Sequence, residues 1–483
     1  MRALTVLVFG LVAQDPDERT RQQYEEIRLQ AAQNAKGQYE LGKWCERKRL
    51  REEAIKAYER AIEIEPEFEA ARKALGHKKV LGRWTSEKNY ADSSWWAHPK
   101  VDQKRVDDAI VKGVEVLLNQ VGKWPDAQSF NLKFRYDELV LLTALESGWD
   151  RRDPRLVALM DRVSRLPLDR TYHVALRAMC LAAMDPLKYQ QFLAQCAQFL
   201  VDNQCKSGQW TYGKPVTNLP PPGQYPTTDK GPIPNLSTGV AGDLDPKAKA
   251  APQPKQIEIK KGKSVGEDVG DNSNSQYAAL GIRACLSGLV VVPKETIQAA
   301  ERWWESRQLS DGGWGYDFAN FPQQSWGSMT AGAVGCLAIY KYYRSRVWGE
   351  KVDWKADPGI RRGAAWLGQK LTYGGNPNHP FGNLWHHYWV YAVERAGRLL
   401  ETEQFSGREW YPEGANWLLS RQNADGSWQE EAWGQNPKAG HIPGPVSETC
   451  FAILFLRRAT PKLDDTIRIQ SGDKRFGPVE QNR

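Results

Sequence analysis

The sequence predicts an all-α protein, an (α/α)6 toroid preceded by a small helical module. Two observations lead to this fold class. Between about residues 100 and 460, helical segments alternate with turns rich in Gly, Pro and Asn. Within that region a spaced signature occurs three times, and its spacing is typical of helices fastened to one another at their ends.

In each copy of the signature, an aromatic residue precedes a Gln by five positions, and the Gln is followed by x3-Gly-x-Trp. The copies are Phe199, Gln204, Gly208 and Trp210; Trp303, Gln308, Gly312 and Trp314; and Trp417, Gln422, Gly426 and Trp428. This spacing predicts a helix that ends near the Gln, a turn that needs Gly, and a Trp folded back over the helix end.

The signature resembles the QW repeat of the squalene-hopene cyclase and oxidosqualene cyclase superfamily. The α/α toroids of that superfamily also include the protein prenyltransferase β-subunits and other prenyltransferase and squalene oxidase repeat proteins. Three copies with identical spacing indicate this terpenoid cyclase-like fold over residues 100–460. They indicate little about function, because one scaffold can host many chemistries.

The N-terminus predicts export to the periplasm or the exterior. Arg2 precedes an apolar run that stops at a polar, acidic stretch, which is typical of a signal peptide over residues 1–13. A buried first helix or strand is the alternative. No later stretch approaches the ~20 apolar residues that span a bilayer, so we expect no transmembrane helix. Seven cysteines without a Cys-x-x-Cys pair argue against a disulfide framework and a structural zinc knuckle.

Residues 14–99 form a charged helical segment. Its small and large positions match one tetratricopeptide repeat at Leu41, Gly42, Ala54, Tyr58, Ala61 and Pro66. The segment is either a module that contacts a protein partner or a helical spacer. The net charge of +8 is spread along helices that also carry acids, so we expect no nucleic-acid partner.

The toroid region divides into six outer and six inner helices. The predicted outer helices span 102–120, 154–165, 189–204, 294–308, 358–369 and 413–422. The predicted inner helices, more apolar and richer in small residues, span 136–147, 172–184, 275–287, 329–342, 385–399 and 447–458. Aligning the inner helices places six residues in one first-turn column: Asp137, His173, Gln276, Thr330, His387 and Thr449. Small residues follow five positions later at Ala178, Gly281, Gly335 and Ala392 and allow close packing.

Two segments fall outside this pattern. Residues 211–271 are Pro-rich and then Lys-rich, and they predict a long insertion that is either disordered or a lid over the toroid mouth. Residues 461–483 predict a polar C-terminal tail.

The resemblance to the squalene cyclases implies an Asp-x-Asp-Asp-Thr-Ala motif whose middle Asp protonates the substrate. The matching segment reads Trp326-Gly327-Ser328-Met329-Thr330-Ala331, which keeps Thr and Ala but has no carboxylate. A protonation-initiated polyene cyclase is therefore not expected.

The resemblance to the prenyltransferases implies zinc bound by Asp-x-Cys and a His on inner helices. Here Glu448-Thr449-Cys450 begins the last inner helix, and His386 and His387 begin the one before it. Because Glu replaces Asp and the order of the helices is reversed, we expect no metal cofactor, and zinc remains the alternative.

Polar and aromatic residues gather where the inner helices begin. The candidate catalytic residues are Asp137, His173, His387 and Glu448, and the candidate ligand-lining residues are Tyr136, Tyr172, Trp326, Trp385 and Phe451. Imidazole and carboxylate pairs suit acid–base chemistry near neutral pH, and aromatic walls suit an apolar small molecule or the faces of a polymer. Two hypotheses follow: a binding or scaffold protein, or an enzyme of transferase, cyclase or lyase type. In a third interpretation, the polar residues only cap helices.

Overall fold

The computed structural model describes residues 18–31, 34–48, 50–65, 67–75, 78–80, 83–85, 98–123, 127–129, 132–228, 255–262, 265–316, 323–380, 385–429 and 444–463. The predicted signal peptide and all but the first three residues of the predicted tail lie outside these ranges. The chain divides into two compact units, Met1–Trp95 and Trp96–Arg483.

The first unit is a small helical assembly. It contains α1 (Glu18–Gln30), α2 (Ala35–Arg47), α3 (Arg51–Ile64), α4 (Glu69–Ala74) and an antiparallel pair, β1 (Lys78–Val80) and β2 (Arg83–Thr85). Helices α2 and α3 pack closely because Gly42 has no side chain, and a Cβ there would overlap the Tyr58 ring. Gly42 and Tyr58, two of the small and large positions noted in the sequence, thus meet. Pro66 lies outside the described residues, and assignment to the tetratricopeptide family stays a prediction.

The described residues of the second unit form two sets of six helices. The outer helices are α5 (Gln103–Asn119), α7 (Pro154–Arg165), α9 (Gln190–Asp202), α11 (Lys294–Ser306), α13 (Pro358–Lys370) and α15 (Trp410–Arg421). The inner helices are α6 (Asp137–Glu146), α8 (Thr171–Met184), α10 (Asn272–Ser287), α12 (Gly327–Trp348), α14 (His386–Leu400) and α16 (Pro445–Arg457).

The inner helices form a closed ring. Each packs against the next in chain order, and α16 packs against α6 to complete the circle. Almost every described residue of the inner helices is buried, whereas the outer helices bury one face. Several helices begin at an aspartate whose side chain accepts a hydrogen bond from a first-turn backbone N–H, as at Asp102, Asp153, Asp271 and Asp357. The all-α (α/α)6 toroid is confirmed.

Short strands lie in the connections between the helices of the second unit. They are β3 (Ala127–Ser129) with β4 (Leu132–Phe134), β5 (Thr227–Thr228) with β6 (Gln256–Glu258) and β7 (Val290–Val291), and β8 (Gln404–Phe405) with β9 (Arg408–Glu409).

The described parts of the 211–271 insertion lie along the outer helix α9. Gln190 Nε2 donates to the carbonyl of Lys255 at 2.8 Å, and Gln198 Nε2 donates to that of Lys260 at 2.9 Å. Ile257 is fully buried where β6 pairs in parallel with β7. Residues 229–254 and 263–264 lie outside the described ranges, so the lid remains a prediction for them.

The three Gln-x3-Gly-x-Trp repeats adopt one geometry. Each indole Nε1 donates to a carbonyl in the last turn of the preceding outer helix: Trp210 to Leu200 (2.7 Å), Trp314 to Trp304 (2.7 Å) and Trp428 to Leu418 (2.9 Å). Each backbone N–H donates to a hydroxyl in the following inner helix: Trp210 to Ser275, Trp314 to Thr330 and Trp428 to Thr449, all at 3.0 Å. The Trp therefore ties an outer helix to the inner helix that follows it.

The Gln and Gly of each repeat join neighbouring outer helices. Each Gln side chain donates to the carbonyl of its own Gly and to one in the next outer helix, namely Thr296 for Gln204, Gly359 for Gln308 and Ala109 for Gln422, each at 2.8 Å. Gly208, Gly312 and Gly426 have φ between 92° and 97° and approach that same helix. The third repeat thereby links α15 to α5, the last outer helix to the first.

The Trp contacts also correct the predicted first-turn column. Ser275, not Gln276, occupies the position equivalent to Thr330 and Thr449, because Ser275 receives the Trp210 N–H. The prediction for α10 was wrong by one residue. A shift of one residue rotates a helical side chain by about 100°, and Gln276 instead points into the ring, where it meets Tyr388 and Arg395.

Candidate functional site

Aromatic rings cross the interior of the ring near the ends at which the inner helices begin. Tyr172, Tyr277, Tyr388 and Phe451, which we call the tyrosine layer, come from α8, α10, α14 and α16. Their successive ring centroids are 4.5, 6.3 and 5.7 Å apart. These are ordinary distances for interacting aromatic pairs. Burial raises the pKa of Tyr388, so its hydroxyl is neutral.

Half-buried aromatic residues lie beside this layer. Tyr212 contacts Tyr172 at 6.4 Å between ring centroids, and Trp385 contacts Tyr388 at 6.2 Å. Tyr316 is 5.6 Å from Trp326, the residue at the N-cap of α12. Partly exposed rings above buried ones form a surface on which an apolar ligand, or the flat face of a polymer unit, can rest.

Beside these rings runs a chain of hydrogen bonds that the sequence did not reveal. The Tyr316 hydroxyl lies 3.0 Å from Ser273 Oγ, which donates to Asp271 Oδ1 at 2.6 Å. Asp271 is the N-cap of α10 and also accepts from the Asn274 backbone N–H at 2.8 Å. Burial raises the pKa of the Asp271 carboxyl even though its hydrogen bonds oppose that shift. A polar path thus connects the half-buried Tyr316 to a buried acid.

Two of the four candidate catalytic residues meet. His387 Nδ1 lies 3.7 Å from Glu448 Oε2, and both side chains are almost completely buried. Trp417 of α15 lies against His387 at 5.5 Å between ring centroids and against His386 at 4.6 Å. Burial lowers the pKa of His386 to about 3, with His387 as a further cause, so His386 is neutral at physiological pH.

The other two candidates pair with residues outside the predicted set. Asp137 forms an ion pair with Arg162 of the outer helix α7 at 2.6 Å. His173 Nδ1 lies 3.1 Å from Asp169, and His173 Nε2 accepts from the Arg135 backbone N–H at 3.4 Å. Burial acts to raise the pKa of Asp169, but the hydrogen bond from His173 and the charge of Arg135 outweigh it and lower that pKa.

The candidate ligand-lining residues also fall into groups. Tyr172 and Phe451 belong to the tyrosine layer, and Trp385 borders it. Trp326 lies 5.0 Å from His379, whose pKa burial lowers to about 4. Tyr136 instead lies beside Gly444 at the start of α16, and burial raises its pKa to about 12.

The arrangement around Cys450 does not suit zinc. Its thiol hydrogen-bonds Thr143 of α6, whereas Glu448 faces His387 of α14. Burial raises the pKa of Cys450 to about 12, which opposes the thiolate that a metal requires. Among the residues that the structure describes, no three His, Cys, Asp or Glu side chains come close enough together to hold a metal ion.

The segment that matches the cyclase acid motif is buried. The Ser328 N–H donates to Asn376 Oδ1 at 3.0 Å, and Gln276 Nε2 lies 3.4 Å from the Ser328 carbonyl. In this segment, side-chain amides contact the backbone at the position where the cyclase motif would have carboxylates.

A guanidinium occupies the interior beneath the tyrosine layer. Arg395 of α14 lies over the rings of Tyr277, Tyr388 and Tyr391, at 5.5, 5.3 and 4.5 Å from the ring centroids. Arg395 was not among the candidate residues, because an Arg in the middle of a helix is usually exposed to solvent.

Comparisons with known proteins identify similar folds at low identity. No family model matches the chain, and no curated protein matches it. Among solved structures, three variants of the type II terpene cyclase MstE from Scytonema are similar. Two are in complex with geranylgeranyl dihydroxybenzoate, their substrate. Each of these two is 14% identical to this chain and has a TM-score of 0.42. The first match covers 75% of this chain and 99% of the cyclase chain, and the second covers 74% and 97%. The third, without ligand, is 13% identical with a TM-score of 0.41, covering 75% of this chain and 99% of its own.

In the described parts of the chain, each helix is too short or too polar to cross a bilayer.

Proposed function

We propose that the toroid is a binding protein whose ligand, an apolar small molecule or a polymer, rests on the aromatic residues at the start of the inner helices. One observation supports the proposal: half-buried aromatic rings lie directly against buried ones. Tyr172 contacts both half-buried Tyr212 and buried Tyr277, and half-buried Trp385 contacts buried Tyr388. Burying an aromatic side chain stabilises a complex by about 1.5–3 kcal/mol, so a few such contacts are enough for micromolar binding.

The interior also argues against carbocation chemistry. A cationic intermediate is stabilised by the electron-rich faces of aromatic rings. Here the permanent charge of Arg395 lies over three tyrosine faces, and it would repel a second cation nearby. Together with the lack of a carboxylate in residues 326–331, this supports binding in preference to cyclisation.

The proposal extends to the rest of the chain. We place the protein outside the cytoplasm on the strength of the predicted signal peptide, so N-terminal sequencing of exported material should begin near Gln14. We assign the helical module, residues 14–99, to contact with a protein partner.

Mass spectrometry of molecules that co-purify, followed by titration with geranylgeraniol and with a soluble glucan, tests the binding function. We expect Tyr172→Ala and Trp385→Ala to weaken binding of the effective probe by about tenfold each. Phe192→Ala, which removes an exposed aromatic side chain from the outer helix α9, is the matched control and should bind normally. Equal binding by all three variants would contradict the proposed site.

A second candidate is an enzyme that uses the His387–Glu448 pair. The 3.7 Å separation of the pair is the observation that favours it, because a carboxylate orients an imidazole that acts as an acid or base. Product analysis after incubation with the co-purified molecule tests it. A new product that disappears in Glu448→Gln would make the enzyme the better description.

A further inference from the structure

Arg395 carries a charge that the surrounding residues only partly satisfy. Its side chain is 2% exposed. One terminal nitrogen, Nη2, donates to Gln276 Oε1 at 3.2 Å. The other, Nη1, is buried and has no hydrogen-bond partner among the described residues. The charge is also close to Tyr277 and to the Glu394 carboxylate, but a buried donor of an ionised group that has no acceptor is unfavourable, so Nη1 calls for a partner.

The adjacent carboxylate, Glu394, attracts the guanidinium electrostatically but supplies no acceptor for Nη1. Glu394 is directed to Thr460, from which it accepts the backbone N–H at 2.9 Å and the hydroxyl at 2.6 Å. Successive side chains on a helix point about 100° apart. The Glu394 carboxylate is therefore committed to the segment after α16, and it makes no hydrogen bond to Arg395 among those that the described structure contains.

The surroundings of Arg395 form a built site. Gln276 Oε1 accepts from both Arg395 and the Tyr388 hydroxyl, the latter at 3.0 Å. Gln276 reaches this position because residue 332 is glycine, and a Cβ on Gly332 would overlap the Gln276 amide. Gln276 is therefore a neutral acceptor beside the guanidinium. A Glu at this position, which is nearly equal in size, would have neutralised the charge of Arg395.

Open space borders this site. A cavity of about 50 Å³ lies among the C-terminal parts of the inner helices, at the end of the ring opposite the tyrosine layer, and its lining includes Tyr391, Leu280 and Thr460. Tyr391 is also the ring closest to the Arg395 guanidinium, at 4.5 Å. One aromatic ring therefore separates the charge from a space that holds a few atoms, on the order of several waters.

We propose that Arg395 binds the carboxylate of an amphipathic ligand whose apolar body packs against the tyrosine layer. The planar guanidinium matches a carboxylate in shape, and Nη1 supplies the donor that is still unused. The inference rests on the proposed binding function and narrows it to apolar molecules that end in an oxyanion.

Calorimetric titration with decanoate and with decanol separates the head group from the apolar body. We expect the wild-type protein to bind decanoate at least about tenfold more tightly than decanol, as for a charge-assisted hydrogen bond. Acetate, the head group alone, should bind at least about a hundredfold more weakly than decanoate. Equal affinity for decanoate and decanol would overturn the role of Arg395 and leave the binding function intact. Failure to bind either long-chain probe would refute the amphipathic ligand, and the titrations with geranylgeraniol and the glucan would then decide the binding function.

Two variants assign the preference to Arg395. Arg395→Gln should bring the decanoate-to-decanol ratio close to one. Should that variant fail to fold, Gln276→Glu tests the same point, because it supplies an internal counter-charge and should also remove the preference. Arg398→Gln removes an equally buried guanidinium on α14 whose Nε donates to the Thr460 carbonyl at 2.8 Å. It should keep the wild-type ratio. An undiminished preference in Gln276→Glu, or its loss in Arg398→Gln alone, would overturn the proposal.

Discussion

The close approach of each Gly turn to the next outer helix can be tested by adding a single methyl group. Gly208 has φ 97°, and a Cβ there would lie 2.6 Å from the carbonyl carbon of Ala299 in α11. Non-bonded carbon atoms pack at about 3.5–4.0 Å, so Gly208→Ala must push α11 away from the turn by about 1 Å.

The expected loss has two parts. An L-residue forced to positive φ costs about 1–2 kcal/mol, and overpacking adds about 1–3 kcal/mol. We therefore expect Gly208→Ala to lower the free energy of unfolding by about 2–5 kcal/mol. Gly223 is a matched control, because its φ is 95° and a Cβ there would meet nothing within 4 Å. Gly223→Ala should therefore lose only about 1–2 kcal/mol, the cost of positive φ.

Urea unfolding at constant m-value measures both variants. Gly312→Ala should lie between them, since its Cβ would come 2.9 Å from the Arg362 carbonyl oxygen. Losses for Gly208→Ala and Gly223→Ala that agree within about 0.5 kcal/mol would show that the turn does not pack tightly on α11, and the account of the repeats would fail.

Three further predictions concern the interior. Incubation with squalene should yield no cyclised product by gas chromatography, and a cyclised triterpene would contradict the argument from Arg395. Burial raises the pKa of Glu394 from 4.5 to about 7, so its contribution to stability is present below pH 4.5 and is lost as the pH rises through about 7. Between pH 4.5 and 8, the free energy of unfolding of the wild-type protein should fall by up to about 3 kcal/mol more than that of Glu394→Gln. Urea midpoints that change equally with pH in the two proteins would refute this. His387→Ala should destabilise the protein by about 1–3 kcal/mol because buried Glu448 loses its partner. An unchanged thermal melt with loss of ligand would instead place the pair in the binding site.

The helices of the toroid could be predicted from the sequence because their signals are local. Predicted outer helix 154–165 coincides with Pro154–Arg165, where Asp153 caps the helix and proline occupies its first position. The predicted start of the first inner helix lies one residue from the observed Asp137. Apolar spacing and turn residues act over a few positions, so a single sequence contains them.

The candidate site was predictable only in part because it depends on partners that are distant in the chain. His387 and Glu448 meet because α14 and α16 are neighbours in the ring, and both residues had been placed near the starts of those helices. Asp137 instead pairs with Arg162 of an outer helix, and His173 pairs with Asp169, which precedes its helix. Neither partner was included in the alignment of the inner helices.

The register of α10 concealed the partner of Arg395. The alignment of the inner helices placed Gln276 in the first-turn column with Thr330 and Thr449. With Ser275 in that column, Gln276 points into the interior and accepts from Arg395. The contact between these two residues therefore could not be predicted from that alignment.

The inner helices and Arg395 both contribute positive potential at the end of the ring that holds the tyrosine layer. The inner helices all begin at the same end, and each helix N-terminus acts as roughly half a positive charge. Arg395 adds a full charge beneath the tyrosine layer, and the described residues give its Nη1 no hydrogen-bond partner. A negative group near the tyrosine layer is therefore attracted by these helix ends and by Arg395, against the opposing effect of the Asp271 carboxyl near Tyr172 and Tyr388. A carbocation formed there would be repelled by Arg395. With these side chains, the interior of the ring is thus better suited to an anion than to a cation.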